Sequence, residues 1–186
     1  MTNNILIKAA KHFNLVNKHR WEVFKLCCKA GIPYRGLVHD LSKYSPTEFW
    51  ESAKYFDGHK SPITFAKKEK GYSKAWLHHK GRNKHHAEYW YDISALEKKP
   101  IMPYKYAVEM ICDNLAAGIT YNGKNWKTDT QLNYWQKSKN KVPVNEHIDA
   151  LLTEVFTEVS LNGIDKTINK KNLKKLYNKY CGSDVK

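Results

Sequence analysis

The sequence predicts an all-α protein built as one helical bundle, and three observations lead there. Apolar residues recur at intervals of three and four over long stretches. No stretch of useful length alternates polar and apolar residues as a half-buried strand does. Helix-starting and helix-stopping residues punctuate the chain where the periodicity begins and fails. With 186 residues, 41% of them hydrophobic and 27% charged, the chain suits one domain with its own core.

Taken in order, the first helix runs from Asn4 to Ala30 on Leu6, Ala9, Ala10, Phe13, Val16, Val23, Phe24 and Cys27. Gly31 and Pro33 end it. Arg35 to Tyr44 reads as a second, shorter helix carrying His39 and Asp40. Ser45-Pro46-Thr47-Glu48 is a capping box with proline at the first helical position, opening a third helix to about Phe56. After a polar turn at Asp57–Pro62, a helix capped by Ser73 holds Trp76, His78 and His79 and closes at Gly81. Another is expected from His85 to about Ile93. Glu97–Pro100 is a loop, and Pro103 then starts a long apolar helix from Tyr104 to Gly118, with Glu109 and Asp113 one turn apart on one face. Tyr121–Thr128 reads as a loop, and helices at Asp129–Lys137, Asn145–Leu161 and about Lys170–Tyr180 complete the chain.

Charge and targeting narrow the class. No apolar run approaches the ~18 residues that cross a bilayer, and the N-terminus shows no secretory signal, so a cytoplasmic protein without membrane contact is expected. Cys27, Cys28, Cys112 and Cys181 form no Cys-x-x-Cys pair, which argues against a zinc finger or a disulfide scaffold. The net charge of +14 favours phosphate-bearing partners. All but three of the cations are lysines, so compositional drift competes with a shaped nucleic-acid face, which would favour arginine forks.

The residues that can carry chemistry are His19, the adjacent His39 and Asp40, the cluster His78, His79, His85 and His86, and Asp113. Asp113 sits amid Met110, Ile111, Leu115 and Ala116, where a buried carboxylate must be paired or metal-bound. His12, His59 and His147 read as surface or packing residues. Among the aromatics, Trp50, Trp76, Tyr89, Trp90, Trp126 and Trp135 read mainly as core, with one or two available to stack a base.

The order His19, His39-Asp40, His79 with His85 or His86, then Asp113 resembles the HD-domain superfamily of metal-dependent phosphohydrolases. His39-Asp40-Leu41-Ser42-Lys43 is similar to its His-Asp-hydrophobic-small-Lys sequence, and Ile111–Ala117 to its closing alanine-rich helix. His39–Glu48 and Ala75–Trp90 further resemble segments of an uncharacterised HD-like family of bacteria and phages. The resemblance spans about 18–118, the expected metal-site core of a single domain covering 1–186, with about 129–186 as a helical extension. It implies an HD-type bundle and a phosphohydrolase acting on a phosphomonoester or phosphodiester, most plausibly a nucleotide.

Under that resemblance the metal ligands are His19, His39, Asp40, His79, His86 and Asp113, with Asp40 able to bridge two ions. Mixed imidazole and carboxylate donors suit Mn, Fe, Co, Ni or Zn, with Mg also admissible, as one or two ions. Neighbours on a helix differ by about 100°, so one histidine of each pair should face the metal. His78, His85, Glu48 and Glu109 are then placed behind the ligands, bonding them or a phosphate. Lys43, Arg82 and Asp40 are the catalytic candidates, the two cations holding phosphate charge. His79 and the last histidines are closer in sequence than in many two-metal relatives, which leaves a single-ion site on His19, His39, Asp40 and Asp113 as the alternative. A di-iron oxygenase, implied by the same resemblance, is the rival reaction. A lysine-rich module binding nucleic acid through Lys170–Lys179 is the non-enzymatic rival, and it is not favoured.

Overall fold

Apolar stripes decide which helices form and which faces they turn inward. In a computed structural model, which describes residues 2–58 and 60–182, the chain forms ten α-helices joined by turns and short 3-10 segments, with no strand among the described residues. The helix α1 (Thr2–Lys29) lies along α6 (Tyr104–Asn122) and also contacts α2 (Pro33–Val38) and α3 (Pro46–Lys54). α3 in turn packs on α4 (Pro62–Lys70) and α5 (Lys74–Lys80). Behind α6, α8 (Glu146–Asn162) gathers α7 (Thr130–Ser138), α9 (Ile164–Thr167) and α10 (Lys170–Cys181). Val23, Cys27, Ile111, Leu115, Leu151 and Phe156 are among the residues sealed in the shared core. No described helix is long and apolar enough to cross a membrane. The four cysteines are free thiols, with Cys28 alone exposed.

Three local differences from the sequence expectation matter for the site. The helix expected over 35–44 stops at Val38, leaving His39 extended and Asp40 left-handed at φ 54° before a 3-10 turn, Leu41–Tyr44. Asp40 is the one non-glycine residue with positive φ among those described, a conformation aspartate tolerates better than most. The helix expected from His85 to Ile93 shrinks to a 3-10 turn at Ala87–Trp90, with His86 extended and the Trp90 indole bonded to the Lys84 carbonyl. Helix α4 starts where the expected 57–62 turn ends and fills a stretch for which no element was expected, because Pro62 and Ala66 alone are fully buried in it and give almost no periodicity.

Close approach explains why α2 holds the His39 segment so near α1. A Cβ on Gly36 would lie 2.7 Å from Cys27 Cβ and 2.9 Å from Phe24 Cα, so only glycine permits that contact. Expected capping is partly realised. Ser45 Oγ accepts from the Glu48 amide (3.4 Å), and Ser73 Oγ accepts from that of Trp76 (3.0 Å). The long helix reaches past Gly118 to Asn122, absorbing the start of the expected loop. His59 lies outside the described residues.

Candidate metal centre

Each functional side chain is delivered by a different local device. His19 comes from the regular face of α1, and Glu109 and Asp113 from one face of α6. The bend at His39 and Asp40 turns both neighbours into the bundle, which a continuous helix could not do with its 100° step. Helix α5 supplies His79, which is 2% exposed, while its neighbour His78 is turned aside to Glu48. The turn at 83–86 is not helical, so His85 and His86 both reach the centre.

Two groups result, sharing Asp40. One comprises His19, His39, Asp40 and Asp113; the other Asp40, His79, His85 and His86, each with its donor atoms within 4.8 Å of one another. His39 Nε2 lies 3.2 Å from Asp40 Oδ2 and 3.4 Å from Asp113 Oδ1, and His19 Nε2 is 3.0 Å from the latter oxygen. His79 Nε2 and His85 Nε2 stand 3.3 and 3.4 Å from Asp40 Oδ1, and His79 Nε2 is 2.9 Å from His86 Nε2. Donors about 2.1 Å from an ion lie about 3.0 Å apart at right angles and about 3.4 Å apart at a tetrahedral angle. The observed separations match those edges.

Hydrogen bonding gives the second test of fit. Nε2 of His19, His39 and His85 and Oδ1 of Asp40 are buried and make no hydrogen bond, despite their close approach. Buried polar atoms without partners are costly, and ions held by the two groups would satisfy all four. The residues can therefore hold a metal ion.

Outside the ligands sits a layer that fixes their orientation. Glu48, 3% exposed, holds His78 Nδ1 (2.6 Å) with one carboxylate oxygen and His79 Nδ1 (2.7 Å) with the other. Glu109 lies 3.0 Å from His39 Nδ1 and accepts from Arg35 Nε at 2.7 Å. Bonding at Nδ1 leaves Nε2 as the free donor facing the centre. Burial opposes the charge on Glu109, yet the His39 hydrogen bond, the close approach and charge of His85 and the Arg35 bond pull its pKa down to about 2. Asp40 and Asp113 are likewise held far below the carboxylate range: burial opposes it, and the facing histidines, with Lys43 beside Asp40, outweigh it.

Lys43 stands at the rim, its Nζ 2.6 Å from Asp40 Oδ2. Burial disfavours its charge, but Asp40 and Asp113 outweigh that and raise its pKa. Arg82 is exposed and donates to the His78 carbonyl at 3.4 Å, so meeting a phosphate requires it to leave that carbonyl. Trp76, one of the aromatics considered for base stacking, is packed edge-on to His86 and against His79, with Lys67 over its ring. His12 packs between Phe49 and Phe56, and His147 is exposed on α8.

Sequence reasoning missed four supporting residues. Arg20 binds the carbonyls of His39 (2.8 Å) and Leu37 (2.9 Å), and Arg35 anchors Glu109. Ser42 and Asn83 surround His79. A signal for the arginines was present: in a chain that otherwise uses lysine, its three arginines are Arg20, Arg35 and Arg82, all at this site.

A family model matches residues 8–158. The chain belongs to a family of unknown function, DUF5662. That match covers every candidate ligand and stops before α9 and α10. No curated protein matches, and no solved structure does.

Proposed function

We propose that this DUF5662 protein is a metal-dependent phosphohydrolase of the HD type, acting on a phosphomonoester or phosphodiester, with a nucleotide as the favoured substrate. One observation carries the reading: two histidine-rich donor groups joined at the single carboxylate of Asp40. Ions bound there supply Lewis acidity toward a water and a phosphate oxygen. His19, His39 and Asp113 would hold one ion and His79, His85 and His86 the other, with Asp40 between them. Mn, Fe, Co, Ni and Zn suit these donors, and Mg is the weaker match.

The chain's own groups do the rest. Lys43 keeps a full positive charge at the partly open edge and stabilises charge accumulating on phosphate oxygens. Arg82, released from the His78 carbonyl, adds a bidentate contact to the same substrate. Glu48 and Glu109 hold the imidazoles so that little reorganises during reaction.

The test is phosphate release from a panel of nucleotides by chelated protein reloaded separately with Mn, Co, Ni, Zn, Fe or Mg, in air and under nitrogen. Hydrolysis that needs the metal, persists without oxygen and disappears in His39→Ala supports the proposal. Oxygen uptake by the iron form with no phosphate release replaces it with the oxygenase chemistry.

A further inference from the structure

Of the two glutamates behind the candidate ligands, Glu48 and Glu109, only Glu109 touches a member of each donor group. Its Oε1 lies 3.0 Å from Nδ1 of His39, which belongs to the group of His19 and Asp113. The same oxygen lies 3.2 Å from Nδ1 of His85, which belongs to the group of His79 and His86. The His39 contact is a hydrogen bond, and the His85 contact is close but off-line. Oε2 is taken by Arg35 Nε at 2.7 Å, and the residue is completely buried. Glu48 differs. Its partners are His78 and His79, of which only His79 belongs to a ligand group.

His39, His85 and Glu109 themselves bring three donor atoms within 4.8 Å, a geometry open to an ion of its own. The Arg35 guanidinium on the same carboxylate repels a cation there, and both Nε2 atoms already face Asp40. The trio is a brace and not a third ion site.

We infer that Glu109 is the positioning residue common to both halves of the centre, so that the two ions bind interdependently through it, whereas Glu48 serves one half alone. The inference rests on the metal-centre reading of the site and is independent of the reaction. Removing the negative charge behind an imidazole lowers its basicity and frees its tautomer, which costs about 10- to 100-fold in metal affinity. In Glu109→Gln, the amide also sets its NH2 against the Arg35 donor or turns it toward the histidines, so one side of the brace is lost whichever way it points.

The experiment is a Co²⁺ titration of chelated protein, read by calorimetry and by visible absorption, which follow occupancy without activity. Wild type takes two equivalents. Glu109→Gln weakens both by about 10- to 100-fold, while Glu48→Gln weakens one and leaves the other at wild-type affinity. Circular dichroism and melting of the metal-free variants check that each is folded. Should Glu109→Gln fail to fold, Arg35→Ala takes its place, since it removes the anchor and leaves the carboxylate, and it must weaken both equivalents. Loss of a single equivalent in either variant, or no loss, overturns the role of Glu109 while the metal centre stands. Wild-type protein that takes up no Co²⁺ overturns the metal centre and this inference with it.

Discussion

Asp40→Asn is the substitution that separates binding from folding most cleanly. Asparagine has the same shape and occupies the left-handed backbone at φ 54° about as readily as aspartate, so the turn into Leu41–Tyr44 should survive. Alanine there would add about 1–2 kcal/mol of backbone strain and confuse the result. What the change removes is the one anion common to both donor groups. A ligand present at a thousand times its dissociation constant stabilises the folded state by about 4 kcal/mol. In a domain of this length each kcal/mol moves the melting temperature by about 2–4 °C, so each ion bound at that excess should raise it by about 8–16 °C. The assay is thermal melting of wild type and variant in chelator and after reloading with Co²⁺ or Mn²⁺. Wild type should show the rise, and Asp40→Asn should melt at one temperature in both conditions. Its metal-free melting point should stay close to that of wild type, because Lys43 is 28% exposed and can turn its freed charge to water. An undiminished metal-dependent rise in Asp40→Asn would refute the reasoning.

Two further perturbations probe the frame around the centre. Gly36→Ala should cost about 1–3 kcal/mol by forcing α2 off α1, because the new methyl meets Cys27 Cβ at 2.7 Å and Phe24 Cα at 2.9 Å; urea denaturation with chelator present measures it, and an unchanged midpoint contradicts the packing. Burial between the Phe49 and Phe56 rings, helped by the charge of Lys43, lowers the pKa of His12 to about 4. The unfolded state therefore takes up its proton first, and stability that is full above pH ~6.5 falls as the pH drops toward ~4, by up to about 3 kcal/mol. Metal-free His12→Leu should show a flatter decline than wild type across that window, and parallel declines would count against it.

Much of the fold was legible, for a physical reason. Helices α1, α8 and α10 each bury one stripe against the core, and such stripes repeat visibly in sequence, while α6, buried on nearly every side over 107–112, shows as a long apolar run. The candidate donor residues were legible because an aspartate such as Asp113 in an apolar helix face demands a partner, and the structure brings them together. What sequence could not show was the interruption of helical geometry at the two places that matter. Nothing in the 35–44 pattern distinguishes a helix from one broken at His39. The turn that admits both His85 and His86 is likewise stabilised by distant contacts, such as Asn83 with Ser42. Glu48 read equally well as a capping residue, and only three-dimensional proximity reveals it bridging His78 and His79.

Arg20 holds a consequence for anyone altering this protein. Its guanidinium reaches the carbonyls of Leu37 and His39 and the hydroxyl of Tyr44 at once, and so laces the turn before the paired ligands to the first helix. A lysine ammonium is a compact point charge on a flexible stem and cannot span three acceptors arranged as a fork. The swap that surface composition suggests is harmless would therefore loosen the turn that carries His39 and Asp40.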